Sequence, residues 1–263
     1  MDLKLKNKKV LVTGSSRGLG YATARVLSQE GAQVVISGRN AVHLEAAVQK
    51  IASETGNPVF GFAGDVSAAG VVEALVKLAH EAMAGLDILI CNAGGPPPGA
   101  FEAFDEAAWH KALDLSFMSN VWLIKAALPF LRQSQAASVL TITSYSVKQP
   151  IPNLILSNSI RAATIGLTKS LALELGHEGI RFNSILPGWT MTERVTDLMG
   201  VRAKSNGTTV EAEIAKLAFE SPLGRIATPE EFANVAAFLV SPLASYLTGV
   251  MLPVDGGMIK GTF

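Results

Sequence analysis

The chain has 263 residues, of which 49% are apolar and 17% are charged, and its 22 basic and 22 acidic side chains give a formal net charge of zero. This composition is typical of a folded protein with a substantial core and excludes an intrinsically disordered chain. Because a neutral chain lacks the excess of basic residues typical of nucleic-acid binding, we expect no nucleic-acid partner.

The sequence carries no pattern of a membrane or secretory segment. No apolar run reaches the roughly 18 residues of a membrane span, and residues 1–6 carry charge instead of the apolar stretch of a signal peptide. The single cysteine, Cys91, cannot form an internal disulfide. We therefore expect a cytoplasmic protein without a membrane partner.

Short β-branched runs alternate with longer helical patterns along the chain, and the helices end at glycines. The first predicted helix ends near Glu30, and the fourth is expected to break near Pro129. Residues 193–223 carry helical and polar patterns without a strand. The predicted strands cover residues 10–13, 33–37, 59–63, 87–91, 139–143, 180–185 and 250–254, and the later helices cover about 40–54, 68–83, 105–133 and 154–175.

This alternation predicts an α/β fold, a Rossmann-type doubly wound parallel sheet of about seven strands in three α/β/α layers. The crossovers between parallel strands should be right-handed. No linker, repeat or low-complexity tract interrupts the pattern, so we predict one dinucleotide-binding domain over residues 1–263.

A glycine-rich turn lies between the first strand and the first helix. Gly14 allows the tight turn, Gly18 lets the backbone approach a pyrophosphate, and Gly20 lets the helix pack closely on the strand. The free N–H groups at the start of the helix then face the phosphates. The position between a strand and a helix is the context that a dinucleotide-binding turn requires.

Four segments resemble motifs of the short-chain dehydrogenase/reductase family, in particular its 3-oxoacyl-ACP-reductase-like members. They are the Gly-x-x-x-Gly-x-Gly turn, Asn92-Ala93-Gly94, Pro187-Gly188 and Asp255-Gly256-Gly257. The resemblance covers nearly the whole chain. It implies a small-molecule substrate and a nicotinamide cofactor. The cofactor-binding residues that it implies are Gly14, Ser16, Arg17, Gly18, Leu19, Gly20, Arg39, Asp65, Val66, Asn92, Ala93, Gly94, Arg161, Pro187, Gly188, Thr190 and Thr192.

The resemblance also has consequences for larger segments. Residues 193–223 lie where the family has its substrate lid, with Gly200 and Gly207 as candidate hinges. The alternative is a simple packed pair of helices. Helices 105–133 and 154–175 lie where the family pairs subunits, so we expect a homotetramer or a homodimer.

The end of the second predicted strand bears on cofactor choice. NAD-preferring members generally carry an acidic residue there, which binds the ribose hydroxyls. This chain reads Ser37-Gly38-Arg39 instead. Arg39 and Arg17 can bind a 2′-phosphate through paired guanidinium bonds, unless both are ordinary surface charges. The pattern favours NADP(H) over NAD(H).

The family's catalytic Asn, Ser, Tyr and Lys are only partly retained. The resemblance places the Ser at Ser144, but Ser157 stands at the Tyr position, Arg161 at the Lys position and Ser116 at the Asn position. A serine hydroxyl is about as weakly acidic as water, so it is no general acid at neutral pH. Arg161 stays protonated and shares a helix face with Ser157, so the two can hold a cofactor or a water.

Few other residues are candidates for the missing acid. Lys148, in the loop after the fifth strand, is one candidate. The alternative interpretation is that Lys148 is an ordinary solvated lysine. Tyr145 adjoins Ser144, but strand alternation points it to the opposite side. Cys91 is interpreted as a core thiol. No cluster has the spacing of metal ligands, so no metal is expected, and the four histidines, His43, His80, His110 and His177, are interpreted as helix-surface or helix-end residues.

The proline-rich loop of residues 94–99 predicts a preformed pocket wall. Trp189, Phe117 and Leu154 are its expected apolar companions, which favours a hydrophobic carbonyl or alcohol. The leading hypothesis is an NADP(H)-dependent oxidoreductase in which Ser144 polarises the substrate oxygen. The alternatives are a cofactor-binding sensor or partner subunit without hydride transfer, and lyase or isomerase chemistry in the same pocket.

Overall fold

The structure is a computed structural model that describes residues 1–262. A seven-stranded sheet lies at its centre, and its strands are β1 (Lys9–Val12), β2 (Gln33–Gly38), β3 (Val59–Ala63), β4 (Ile88–Cys91), β5 (Ser138–Ile142), β6 (Arg181–Pro187) and β7 (Met251–Val254). Every neighbouring pair of strands is parallel, and the strand order is β3-β2-β1-β4-β5-β6-β7. The winding direction reverses between β1 and β4, where this fold opens a crevice at the carboxyl ends of the strands.

Helices cover both faces of the sheet. They are α1 (Gly18–Gln29), α2 (Ala41–Thr55), α3 (Ala69–Met83), α4 (Glu106–Leu113), α5 (Ser119–Leu131), α6 (Ile155–Leu175), α7 (Glu193–Asn206), α8 (Val210–Glu220) and α9 (Pro229–Val240). Alternate strand residues divide between two cores: Val10 and Val12 pack under α1, α2 and α9, whereas Leu11 and Leu89 pack under α3, α5 and α6. Among residues 1–262 no helix has the length and apolar character needed to cross a membrane. The predicted doubly wound α/β fold of about seven strands is thus confirmed.

The predicted helix over 105–133 is interrupted, but not where we expected. A π-helical turn, Asp114–Met118, separates α4 from α5. Pro129 lies inside the last turn of α5, which continues to Leu131. A proline so close to the helix end removes one hydrogen bond without stopping the helix. The expected break near Pro129 was therefore wrong.

Helix α9 was absent from the predicted elements. It begins with a capping box in which Thr228 Oγ1 accepts from Glu231 N (3.2 Å) and Glu231 Oε2 accepts from Thr228 N (2.8 Å), and Pro229 occupies its first turn. Its residues Phe232 and Ala236 are fully buried in the core shared with α1. The helix thus closes one face of the sheet.

Residues 193–220 form two packed helices, α7 and α8, over the carboxyl ends of the strands. Val195, Met199 and Leu217 are buried between them. Gly207 ends α7 with a φ of +64°, in the left-handed region that favours glycine. Gly200, the other candidate hinge, lies inside α7. That the segment moves as a lid remains a prediction.

Candidate active site

A cleft of about 460 Å³ lies at the carboxyl ends of the strands, beneath the first turns of α7. This volume is within the range of ligand-binding pockets. Of the predicted site residues, Gly20, Ser116 and Lys148 do not line it. Those that do are Gly14, Ser16, Arg17, Gly18, Leu19, Arg39, Asp65, Val66, Asn92, Ala93, Gly94, Ser144, Ser157, Arg161, Pro187, Gly188, Thr190 and Thr192.

The glycine-rich turn has the backbone that phosphate binding needs. Gly14 has a φ of +56°, and a methyl group there would lie 2.7 Å from the carbonyl oxygen of Asn92. Gly20 lies behind the turn, where a methyl group would meet Gly14 O at 2.6 Å. Arg17, at the N-cap of α1, makes no side-chain cap. The first N–H groups of α1 are therefore available to an anion.

Asn92 fixes this turn to the end of β4. Its Nδ2 donates to Gly14 O (2.8 Å), and its backbone N donates to Thr13 Oγ1 (3.0 Å). Thr13 Oγ1 in turn donates to Asn92 O (2.7 Å). The amide of Asn92 is thus occupied within the protein, and its contribution is to hold the turn in shape.

At the β2 end of the cleft, Asp65 and Arg39 lie in the wall. Asp65 Oδ1 accepts from the backbone N and the hydroxyl of Ser67 (3.0 and 2.8 Å). Arg39 is exposed and has no carboxylate partner among residues 1–262. Arg17 pairs with Glu193 at 3.2 Å, and both side chains are largely exposed. Such an exposed pair contributes about 0–1 kcal/mol, so a ligand can replace it at small cost.

Arg161 connects the end of β5 to α6. Its Nη1 donates to the carbonyl oxygens of Ile142 (3.1 Å) and Thr143 (3.0 Å), and its Nε donates to Ser157 Oγ (3.2 Å). Burial, and secondarily the positive charge of Arg194, lowers the pKa of Arg161 to about 10. The guanidinium therefore stays charged at neutral pH. Both hydrogens of its Nη2 have no protein acceptor among residues 1–262.

Two serine hydroxyls in this wall have a free hydrogen. Ser144 Oγ accepts from Ser146 N (3.1 Å), and Ser157 Oγ accepts from Arg161. Neither hydroxyl donates to a protein acceptor among residues 1–262. Both are therefore able to donate to an oxygen in the cleft.

Two predicted catalytic residues lie elsewhere. Ser116 is buried in the π-helical turn; its carbonyl accepts from Asn120 Nδ2 (2.9 Å) and Thr164 Oγ1 (3.0 Å), and its hydroxyl has no partner among the described residues. Lys148 is exposed and lies outside the cleft wall. Neither residue therefore lines the cleft wall that contains Ser144.

Tyr145 lies in the wall that the cleft shares with a second cavity, contrary to the side that strand alternation indicated. β5 ends at Ile142, so the alternation does not extend to Tyr145, which begins a 3₁₀ turn. It packs edge-on against Trp189, with ring centroids 6.4 Å apart. Burial, followed by the charge of Glu220, raises the pKa of Tyr145 to about 12. It is thus a weaker acid than an ordinary tyrosine.

The apolar wall of the cleft contains two of the three residues that were expected there. Trp189 and Leu154 line the cleft, whereas Phe117 packs in a separate cluster with Leu156 and Ile160. Cys91 is buried in β4 and burial raises the pKa of its thiol, consistent with a core residue. Among residues 1–262, no three His, Cys, Asp or Glu side chains come together as a metal site would need.

Arg194 is one of the cleft residues that the sequence analysis did not single out. It lies in the first turn of α7 and lines the cleft, and its Nη2 donates to Pro96 O (3.3 Å) in the loop that follows β4. Its position two residues after Thr192, at the entrance of a predicted helix, was the available signal.

A doubly wound parallel sheet with a glycine turn at its switch point defines a dinucleotide-binding α/β protein, and serines beside a charged guanidinium fit chemistry at an oxygen. A family model described as enoyl-(acyl carrier protein) reductase matches residues 14–259. The chain belongs to the short-chain dehydrogenase/reductase family and is an oxidoreductase of that type.

Three relatives illustrate the match. Dehydrogenase/reductase SDR family member 4 of Bos taurus is 36% identical over 257 residues, which cover 97% of this chain and 88% of the relative. L-sorbose reductase from Gluconobacter frateurii, solved with NADPH and L-sorbose, is 31% identical with a TM-score of 0.95, covering 99% and 100% of the two chains. An NADPH-bound short chain oxidoreductase from Pseudomonas aeruginosa PAO1, described as containing an atypical catalytic center, is 30% identical with a TM-score of 0.89, covering 98% and 99%.

Proposed function

We propose that this protein is an NADP(H)-dependent oxidoreductase that interconverts a carbonyl compound and its alcohol. The observation that carries the proposal is that one cleft joins a phosphate-binding turn to two serine hydroxyls and a charged guanidinium. The first group of residues suits a dinucleotide, and the second suits a polarised oxygen.

The residues of the cleft fit a nicotinamide dinucleotide phosphate. The backbone of Gly14 leaves room for close approach, and the first turn of α1 offers free N–H groups. Arg39 is free to bind a 2′-phosphate, and Arg17 can join it when its exposed pair with Glu193 opens. When bound, the cofactor supplies or accepts the hydride. Two solved relatives that hold NADPH support this choice.

The protein's own groups would handle the substrate oxygen. Ser144 donates its free hydroxyl hydrogen to that oxygen. Ser157 donates likewise, and the Nε–H of Arg161 that it accepts makes its hydroxyl a stronger donor. The charge of Arg161 stabilises the negative charge that develops on the oxygen, and water delivers the proton because neither serine is acidic enough.

This assignment lets chemistry proceed without the family's tyrosine. Ser157 and Arg161 then act through electrostatic stabilisation, while Tyr145 and Lys148 have no part in the proton step. The Pseudomonas relative, with an atypical catalytic center, also binds NADPH, so departure from the usual center is compatible with cofactor binding. The apolar wall of Trp189 and Leu154 would contact a hydrophobic part of the substrate.

The test is a turnover assay with NADPH and a broad panel of carbonyl compounds, run beside an equilibrium measurement of NADPH binding. We expect binding and carbonyl-dependent oxidation of NADPH. Tight binding without turnover of any carbonyl or alcohol would contradict the proposal and favour a protein that only binds the cofactor.

A further inference from the structure

We propose that Arg194 and Arg161 together form an anion-binding subsite, and that the carbonyl substrate carries a carboxylate close to the reacting group. This inference rests on the proposed function, because it specifies the substrate class of the same cleft. The residues that carry it are two guanidinium groups that line one cleft.

The first observation is where Arg194 is held. Its guanidinium donates to Pro96 O (3.3 Å) and lies directly against the backbone of Gly95. A methyl group on Gly95 would lie 2.7 Å from Arg194 Cζ, so the absence of a side chain there makes room for the guanidinium. Although Arg194 is an exposed residue, these contacts hold its guanidinium in a defined position against the loop that follows β4.

The second observation is that neither cation is neutralised. Among residues 1–262, no carboxylate oxygen lies within 4.0 Å of Arg161 or Arg194. The acidic residues that line the cleft are Asp65, which bonds Ser67, Glu193, which pairs with Arg17, and Asp197, which reaches neither guanidinium.

The two charges also affect one another. The positive charge of Arg194 contributes to the lowered pKa of Arg161, so the two groups are close enough to repel. A negative ligand between them would remove that repulsion and offset the cost of holding Arg161 away from bulk water.

The third observation is the number of free donors. Arg161 keeps both hydrogens of Nη2, and Arg194 keeps those of Nε and Nη1, without an acceptor among residues 1–262. Charge-assisted N–H···O bonds to a carboxylate are strong, and each guanidinium has a free donor for one. Ser144 and Ser157 remain available for the carbonyl oxygen.

The anion has two possible sources, a substrate carboxylate and the diphosphate of the cofactor. We favour the substrate because the first turn of α1 already offers N–H groups to phosphates, on the β1 side of the cleft. Arg161 and Arg194 lie instead beside Ser157 and the loop after β4.

The experiment compares two ketones that carry a carboxylate at different spacings, benzoylformate and 3-benzoylpropionate, with their methyl esters. With NADPH, we expect kcat/KM for at least one acid to exceed that of its ester. Arg194→Gln should lower the acid's value by about 10- to 100-fold, as for loss of a charge-assisted contact, and leave the ester little changed. Lys204→Gln, which removes an exposed charge from the same helix, is the matched control and should change neither.

A second variant tests the position of the Arg194 guanidinium without removing that group. Gly95→Ala places a methyl group where Arg194 packs, and a flexible arginine end can move away without damage to the fold. We expect this variant to lose preference for the acid over the ester. An unchanged preference in both Gly95→Ala and Arg194→Gln would overturn the proposal.

Binding separates this inference from the proposed function. Calorimetry should show benzoylformate or 3-benzoylpropionate binding to the protein saturated with NADP⁺, with about 10- to 100-fold loss in Arg194→Gln. If no carbonyl is turned over but this binding is seen, the proposed function fails and the subsite stands. No binding of either acid would overturn the subsite, as would an Arg194→Gln variant that weakens NADPH by a similar factor while treating acid and ester alike, because the anion would then be the cofactor's diphosphate.

Discussion

Ser144 and Ser157 both present a free hydroxyl hydrogen to the cleft, but their surroundings differ. Ser144 is expected to donate directly to the developing oxyanion, where loss of one donor costs about 10²–10³ in rate. Ser157 is a supporting donor. We therefore predict that Ser144→Ala lowers kcat more than Ser157→Ala does, measured under saturating NADPH. Ser53→Ala, an exposed serine on α2, serves as the control. A larger loss for Ser157→Ala would reverse the assigned roles.

The ionisable groups of the site predict a pH profile. Tyr145, with its pKa raised to about 12, stays protonated across the working range, and Arg161 loses its charge only as the pH rises through about 10. We expect kcat/KM to be level at neutral pH and to fall above about 10. The double variant Ser157→Tyr with Arg161→Lys should add an ionisation below 10, because it introduces an acid with a tunable pKa. Ser157→Phe with Arg161→Lys is its matched control and should add none. Identical profiles for both would contradict this prediction.

Cofactor preference is predicted to depend on Arg39. If Arg39 binds the 2′-phosphate, Arg39→Ala should weaken NADPH by about 10- to 100-fold, since a charge-assisted contact contributes about 1.5–3 kcal/mol. NADH, which lacks that phosphate, should be little affected. Fluorescence titration of both cofactors measures the two losses. Equal losses would mean that Arg39 does not distinguish them.

At this scale, sequence motifs predicted the glycine turn better than the side chains that surround Ser144. The glycine turn and Asn92 were predictable because their spacing is set by backbone geometry. Lys148 was a candidate because it lies in the loop after the fifth strand, yet it does not line the cleft. The role of Arg194 in the cleft was not predicted, because its long side chain reaches the loop after β4 from another element. No local sequence pattern encodes such a contact.

Among the elements, the strands were the most predictable because central parallel strands are buried on both faces and read as apolar runs. The π-helical turn was not, since its irregular backbone is fixed by contacts from afar, such as Thr164 donating to the carbonyl of Ser116. Helix α9 had a clear local signal in Thr228, Pro229 and Glu231. The start of α9 was therefore predictable from its capping box, which is a reliable signal for the beginning of a helix.

That capping box supports a prediction of stability. Thr228→Ala removes the acceptor for Glu231 N and should lower the free energy of unfolding by about 1 kcal/mol. Thr228→Ser keeps the oxygen and should retain most of the stability. Denaturant titration measures both. If Thr228→Ala and Thr228→Ser are equally destabilising, the cap is not the cause.

The whole molecule is predicted to associate. Leu173 on α6 is 76% exposed, and this helix is one of the two expected to pair subunits. We predict a homotetramer, or at least a homodimer, and that Leu173→Lys weakens it. Val42→Lys is the control, since Val42 is equally exposed but lies on α2, on the other side of the sheet. Sedimentation at micromolar concentration gives the masses, and a wild-type mass equal to one chain would contradict the prediction.

We propose above all that hydride transfer between NADPH and a carbonyl takes place in this cleft without a tyrosine as the general acid. The most direct measurement uses NADPH in which both hydrogens at C4 of the nicotinamide are replaced by deuterium, and it follows the label into the alcohol by mass spectrometry. We expect one deuterium on the former carbonyl carbon for the wild-type protein, with much slower label transfer in Ser144→Ala. Label that never reaches any carbonyl in the panel, despite saturable NADPH binding, would contradict it.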